Sequence, residues 1–107
     1  MAGSYPDRIK ALPVFDGRFD AHKLTATGCD VLFASYPAGT HIEMHTHETD
    51  NHGVITRGEL QLTIDGVMQV IRAGDWYHVP ANVAHSADFD VETDEIEFWF
   101  VQPENHE

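Results

Sequence analysis

The stretch PAGTHIEMHTHETDNHGVITRG, Pro37 to Gly58, decides how this chain is read, because four histidines fall in its first sixteen residues. In an extended strand, residues two apart share a face, with Cα atoms about 6.6 Å apart. His45 and His47 can therefore bring their imidazole nitrogens to one metal ion at ~2.0–2.1 Å. His41 has the parity of His45 in a regular strand. It follows the turn-forming Ala38-Gly39-Thr40, however, which puts it at a pocket rim rather than on the ion. Asn51 and His52 are neighbours and face opposite ways in extended chain, so only one of them reaches the metal.

A distant donor lies in GDWYHVPANVAH, Gly74 to His85. Pro80 and Asn82 suit a tight turn, since proline fixes its own φ and asparagine tolerates the left-handed region. His85 then opens the next strand. His78 reads as a packed or surface imidazole. Taken singly, each histidine is ordinarily a hydrogen-bonded core or surface residue. His45, His47 and His85 sharing one interior without a cation would be three polar rings in need of partners, a costly arrangement in a small core.

The surroundings of these segments are all-β in pattern. Gly and Pro punctuate the chain every eight to twelve residues, with short runs rich in Val, Ile, Phe, Tyr, Trp and Thr between them, the spacing of an antiparallel sandwich or small barrel. In ELQLTIDGVMQVIRAGD, Leu60, Leu62 and Ile64 alternate with polar residues, and Asp65-Gly66 turns the chain into Val67 to Arg72. Further strands are predicted near Asp30–Tyr36, Ile42–His47, Gly53–Arg57, Trp76–Val79, His85–Asp88 and Glu95–Val101. Pro6 to Phe19 has room for one helical turn. The whole chain, residues 1–107, reads as a single domain, with 1–20 an N-terminal arm or edge segment and 102–107 a polar tail. The continuous apolar run from Phe98 to Val101 implies sheet-to-sheet burial or a homodimer contact. Trp76, Phe98, Trp99 and Phe100 read as core or interface packing rather than a stacking platform.

Composition narrows the partners. With 18 acidic against 6 basic residues and a formal charge of −12, the surface repels phosphate backbones and anionic lipid, so neither nucleic acid nor a membrane is expected as a partner. An anionic small molecule stays compatible, because a buried cation reverses the local potential. Cys29 is alone and excludes an intrachain disulfide framework. MAGSYPDRIK has no apolar core of signal-peptide length, and a cytoplasmic protein is expected.

The two histidine segments resemble the paired signatures of the cupin superfamily. The first reads Gly39, THIEM, His45-Thr46-His47, ETD, Asn51, HGVITR, Gly58. The second reads Gly74, DWYHV, Pro80-Ala81-Asn82, VA, His85, SAD, Phe89. Together they span about half the chain. The resemblance implies a double-stranded β-helix, or jelly-roll, barrel. It also implies one divalent transition metal, zinc, nickel, iron or manganese, held by His45, His47, His85 and a fourth donor. The family's carboxylate at that fourth position is replaced here by Asn51 in register, or by His52 in a longer loop. Phe89 stands where the family has asparagine. Small cupins similar to this chain open uronate rings, isomerise sugars or cleave rings with oxygen. The enzymatic expectation is therefore a Lewis-acid step on a small oxygenated or carbohydrate-like acid, with His41 and Tyr77 as catalytic helpers. A module that only binds a small sugar or carboxylate, and a metal-stabilised structural module, are the alternatives.

Overall fold

Turn chemistry and side-chain alternation cut the chain into short strands. The computed structural model describes residues 5–15 and 20–102. In order these form α1 (Asp7–Lys10), β1 (Asp20–Ala26), β2 (Cys29–Tyr36), β3 (Thr40–His45), β4 (Asp50–Arg57), β5 (Glu59–Ile64), β6 (Val67–Arg72), β7 (Trp76–Val79), β8 (His85–Phe89) and β9 (Thr93–Phe100). The β5–β6 hairpin turns on Asp65 and Gly66 with φ of 51° and 77°, the positive pair that matches strand twist. Asn82 takes φ 65° after Pro80. The helical turn foreseen before Phe19 is α1, while β1 is a strand that the pattern does not announce.

Two antiparallel sheets face each other, one in the order β1-β2-β9-β4-β7 and the other β3-β8-β5-β6. The expected barrel is corrected here: neither sheet closes. The sheets end on β1 and β7, and on β3 and β6, so the architecture is an open double-sheet sandwich. The chain passes between sheets at corners instead of extending one ladder around a circle. At the β4–β5 corner Gly58 has φ 88°, and a Cβ there would strike the Glu92 carbonyl and Thr93. Arg57 locks the same corner, donating from Nε to Asp94 Oδ2 at 2.9 Å and from Nη2 to Oδ1 at 3.3 Å. Asp94 is fully buried, and this fork supplies the charge partner that a buried carboxylate requires.

The apolar core occupies one half of the space between the sheets. Leu32, Ala34 and Tyr36 of β2 and Ile55 of β4 meet Leu60, Leu62, Ala87 and Phe89 of the facing sheet. Tyr36 and Phe89 stack at 4.2 Å between centroids. Burying each large aliphatic side chain contributes roughly 1.5–3 kcal/mol. Residues 13–15 run beside β1, with Phe15 N donating to Ala21 O at 2.8 Å and Lys23 N to Pro13 O at 2.9 Å. The other half of the interior is not filled with hydrocarbon, and there the histidines converge.

Candidate metal centre and its cavity

His45 reaches the interior through an irregularity in β3. Its ladder with β8 runs Thr40↔Phe89, His41↔Asp88, Ile42↔Ala87 and then jumps to His45↔His85. Two residues of β3 thus oppose the single Ser86, and the extra residue reverses side-chain parity. Ile42 and His45 both face inward as a result. The expectation that His41 and His45 share parity is corrected by this bulge. His41 borders the cavity, but its ring is more than half exposed and its Nδ1 pairs with Asp88 Oδ1 at 2.6 Å.

The strand expected to continue to His47 stops at His45. His47 stands in the following loop, which the Pro80 turn holds from the other side: Asn82 N donates to His47 O at 2.7 Å. His45 and His85 are direct cross-strand partners. The nitrogens that His45, His47 and His85 present all lie within 4.8 Å of one another, and His45 Nε2 is 3.0 Å from His47 Nε2. Two nitrogens each ~2.1 Å from a common ion lie about 3.0 Å apart at a right angle and about 3.4 Å apart at the tetrahedral angle. The observed spacing fits two donors to one ion, and it equally fits a hydrogen bond between the two rings.

The protonation pattern agrees. His45 Nδ1 donates to Glu43 O at 2.7 Å, and His85 Nδ1 to Val83 O at 3.0 Å. Each backbone carbonyl fixes the tautomer that leaves Nε2 as a lone pair, the arrangement metal-ligating histidines use. Burial, reinforced by His45 and His85, lowers the His47 pKa to about 4. Burial also lowers that of His85. His47 and His85 therefore resist protonation, and the donor set fits a divalent transition metal.

Opposite the histidines lies a polar wall. The cavity is about 780 Å³, and β9 lines it with Glu95, Glu97 and Trp99. Glu97 Oε2 accepts from Tyr36 Oη at 2.6 Å, and its Oε1 accepts from Trp99 Nε1 at 2.9 Å. Glu95 Oε1 accepts from Tyr77 Oη at 3.0 Å. Burial first, and then the neighbouring Glu97 charge and its hydrogen bond, push the Glu95 pKa well above the usual carboxylate range. Burial likewise keeps both phenols protonated as donors. Tyr77 packs against Gly53, where a Cβ would overlap its ring. Asn51 is buried on the same inner face and accepts from Thr49 Oγ1 at 2.6 Å. Sequence reasoning missed the carboxyl pair, although the i, i+2 spacing of Glu95, Glu97 and Trp99 placed all three on one face.

His52 is turned away from this cavity by strand alternation. With Asp50 and His78 it forms a second histidine–aspartate cluster on the outer face of the five-stranded sheet. Trp76 and Phe98 stack on the same outer face, 5.9 Å apart, with Trp76 61% exposed. Trp99 instead contacts His47 at 4.5 Å between centroids. Among the described residues no helix is long and apolar enough to cross a membrane. His106 lies outside the described residues.

The family model for the Cupin domain matches residues 32–101, well over half of the chain. No curated protein matches it. Among solved structures, a conserved protein of unknown function from Streptococcus pyogenes is similar with a TM-score of 0.76 at 15% identity, over 97% of this chain and 92% of that one. A cupin superfamily protein from Desulfitobacterium hafniense is similar with a TM-score of 0.74 at 15% identity, over 85% and 84% of the two chains. Salicylate 1,2-dioxygenase from Pseudoaminobacter salicylatoxidans is similar with a TM-score of 0.72 at 16% identity, over 82% of this chain and 28% of that one. At these identities the likeness is one of fold.

Proposed function

The chain belongs to the cupin family, and we propose that it is an enzyme acting on a small oxygenated or carbohydrate-like acid. In this reading His45, His47 and His85 hold one divalent transition metal and Asn51 is the fourth protein donor. The observation that carries it is the convergence of three imidazoles on one side of a cavity whose other side holds a buried carboxyl pair. When bound, the ion supplies a Lewis acid that draws electron density from a carbonyl or enediol oxygen.

The chain's own residues supply the rest. A donor set without a carboxylate favours an anionic ligand oxygen. Glu95 retains a proton and offers it to Glu97, whose two oxygens already accept from Tyr36 and Trp99. One proton shared by a buried carboxyl pair opposite the metal ligands suits a general acid–base step at a carbon next to the polarised group. Tyr77 holds Glu95 in position. The cavity volume is within the range of small-molecule sites.

Incubating the metal-loaded chain with a panel of hydroxy and keto sugar acids, followed by proton NMR, tests this directly. Conversion of at least one acid is expected. Glu97→Gln should slow it about 10²- to 10⁴-fold while metal content stays unchanged. Acids that bind at the metal-loaded cavity without any turnover would replace the enzyme by a ligand-binding module.

A further inference from the structure

We propose that Asp50, His52 and His78 form a second divalent-cation site, on the outer face of the five-stranded sheet, which clasps the edge strand β7 to β4. This site is separate from the cavity and does not depend on the function proposed for it. Asp50 and His52 are two apart on β4 and share a face, and His78 of β7 is the direct ladder partner of His52. Three ligand-bearing side chains are thereby delivered by two hydrogen-bonded strands, with no loop required. Their ligand atoms lie within 4.8 Å of one another.

The orientation of the rings points to a shared centre. His78 Nε2 lies 2.7 Å from Asp50 Oδ1, and His52 Nε2 lies 3.2 Å from Asp50 Oδ2. The two imidazoles stack in parallel, 4.2 Å between centroids and 5° between planes, so both turn the same edge toward one carboxylate. A cation takes the place of the N–H groups now offered to Asp50: the single proton of each neutral ring shifts through solvent from Nε2 to Nδ1 and leaves Nε2 as a lone pair for the ion. Two imidazoles and one carboxylate suit zinc or nickel and leave positions for water. The side chains of His52 and His78 are 41% and 46% exposed, which gives an ion direct entry and lets the rings rotate onto it. The overall charge of −12 draws cations to the surface.

The consequence follows from alternation. Asn51 lies between Asp50 and His52, and Tyr77 lies beside His78, each pointing into the cavity on the opposite side of the sheet. Strand β7 is four residues long and, among the described residues, pairs only with β4. An ion joining His52 to His78 therefore braces the wall that carries Asn51 and Tyr77.

The test is to titrate metal-stripped protein with Zn²⁺ alone and count bound ions per chain. Two are expected for the unaltered chain, and one for the double variant His52→Ala/His78→Ala. A chain carrying His45→Ala and His85→Ala should lose the inner ion and keep the outer one, so failure of the inner reading is distinguishable from failure of this one. On the unaltered protein, side-chain NMR resonances of His52 and His78 should shift with Zn²⁺ while that of His22, on β1 and outside the cavity lining, does not. Free Zn²⁺ at ten times the outer dissociation constant should slow amide exchange in β7 about tenfold. Unchanged His52 and His78 resonances on zinc addition, or two ions retained by the His52/His78 variant, would overturn the proposal.

Discussion

At the cavity end of the five-stranded sheet the inner face is strongly polar, while the outer face sets exposed apolar residues beside the Asp50–His52–His78 cluster. Facing the cavity are Asn51, Gly53, Tyr77, Glu95, Glu97 and Trp99, while Val31, Phe33, Val54, Trp76, Ile96 and Phe98 alternate with them on the outside. A sheet whose task were only to cover a core would have the reverse order. The inversion shows where a fold gives up stability for a site: β9 turns two of its three buried carboxylates, Glu95 and Glu97, toward the cavity, where phenol and indole donors hold them, whereas Asp94 on the other face is held by Arg57. At the other end of the sandwich, around Tyr36, Ile55, Leu60 and Phe89, the ordinary apolar interior resumes.

The largest test of this contrast removes the inner histidines. With metal at a thousand times its dissociation constant, His45→Ala or His85→Ala should cost the loaded protein about 4 kcal/mol of stability and remove one equivalent by elemental analysis. His106→Ala should do neither. If both inner variants keep the full metal content and the same melting temperature in excess metal, the inner face owes its polarity to something other than an ion.

Next in size is Gly53→Ala. Tyr77 occupies the space that a Cβ would need, and the ring is pinned through Glu95. Displacing it should destabilise the chain by about 1–3 kcal/mol, the usual cost of overpacking, measured by urea unfolding. Adding Tyr77→Leu to Gly53→Ala should recover part of that loss. A neutral Gly53→Ala would mean that the tyrosine leaves the wall easily and does not organise it.

How far the pattern of residues foretold this contrast depends on the feature. The Asp65-Gly66 hairpin, the Pro80–Asn82 turn and the three histidines were legible because each rests on local chemistry: positive φ, a fixed proline, or ligand spacing. The bulge between Ile42 and His45 was not, since one extra residue in a ladder leaves no mark in composition, and it alone decides that His41 and His45 face opposite ways. β1 escaped because its inward residues, Ala21, Lys23 and Thr25, do not form an apolar alternation. In EIEFWFV the alternation was visible but its sense was not. Hydrophobicity says which residues share a face, and only the facing histidines say that the acidic face is the inner one.

A smaller effect isolates the carboxyl pair. The folded-state pKa of Glu95 is raised, so its contribution to folding is fully present below the ordinary glutamate range and is lost as pH rises through the folded value. Glu95→Gln keeps the shape and a donor toward Glu97 but cannot ionise. In metal-stripped protein it should therefore be more stable than the unaltered chain at pH 8, by about 1–2 kcal/mol, and the gain should shrink toward pH 5. A gain that is the same at both pH values would place the benefit in packing rather than in relief of a buried charge.

The smallest expected effect has the opposite pH sense and belongs to the facing wall. Burial, helped by His45 and His85, lowers the His47 pKa to about 4, whereas the unfolded chain titrates near ~6.5. Between these values the unfolded state binds a proton that the folded state refuses, so the metal-stripped protein loses stability as pH falls from about 6.5 to about 4. His47→Gln abolishes this particular loss. Measured without metal, the stability of the variant relative to the unaltered chain should be flat above pH 7. It should then rise on acidification, by on the order of 1 kcal/mol once solvent screening of a half-buried ring is allowed for. Because Glu95→Gln gains with rising pH and His47→Gln with falling pH, the two variants together read the carboxyl wall and the imidazole wall separately. If both pH profiles moved the same way, the walls would be titrating as one coupled unit, and the division of labour between ligands and proton carriers would have to be redrawn.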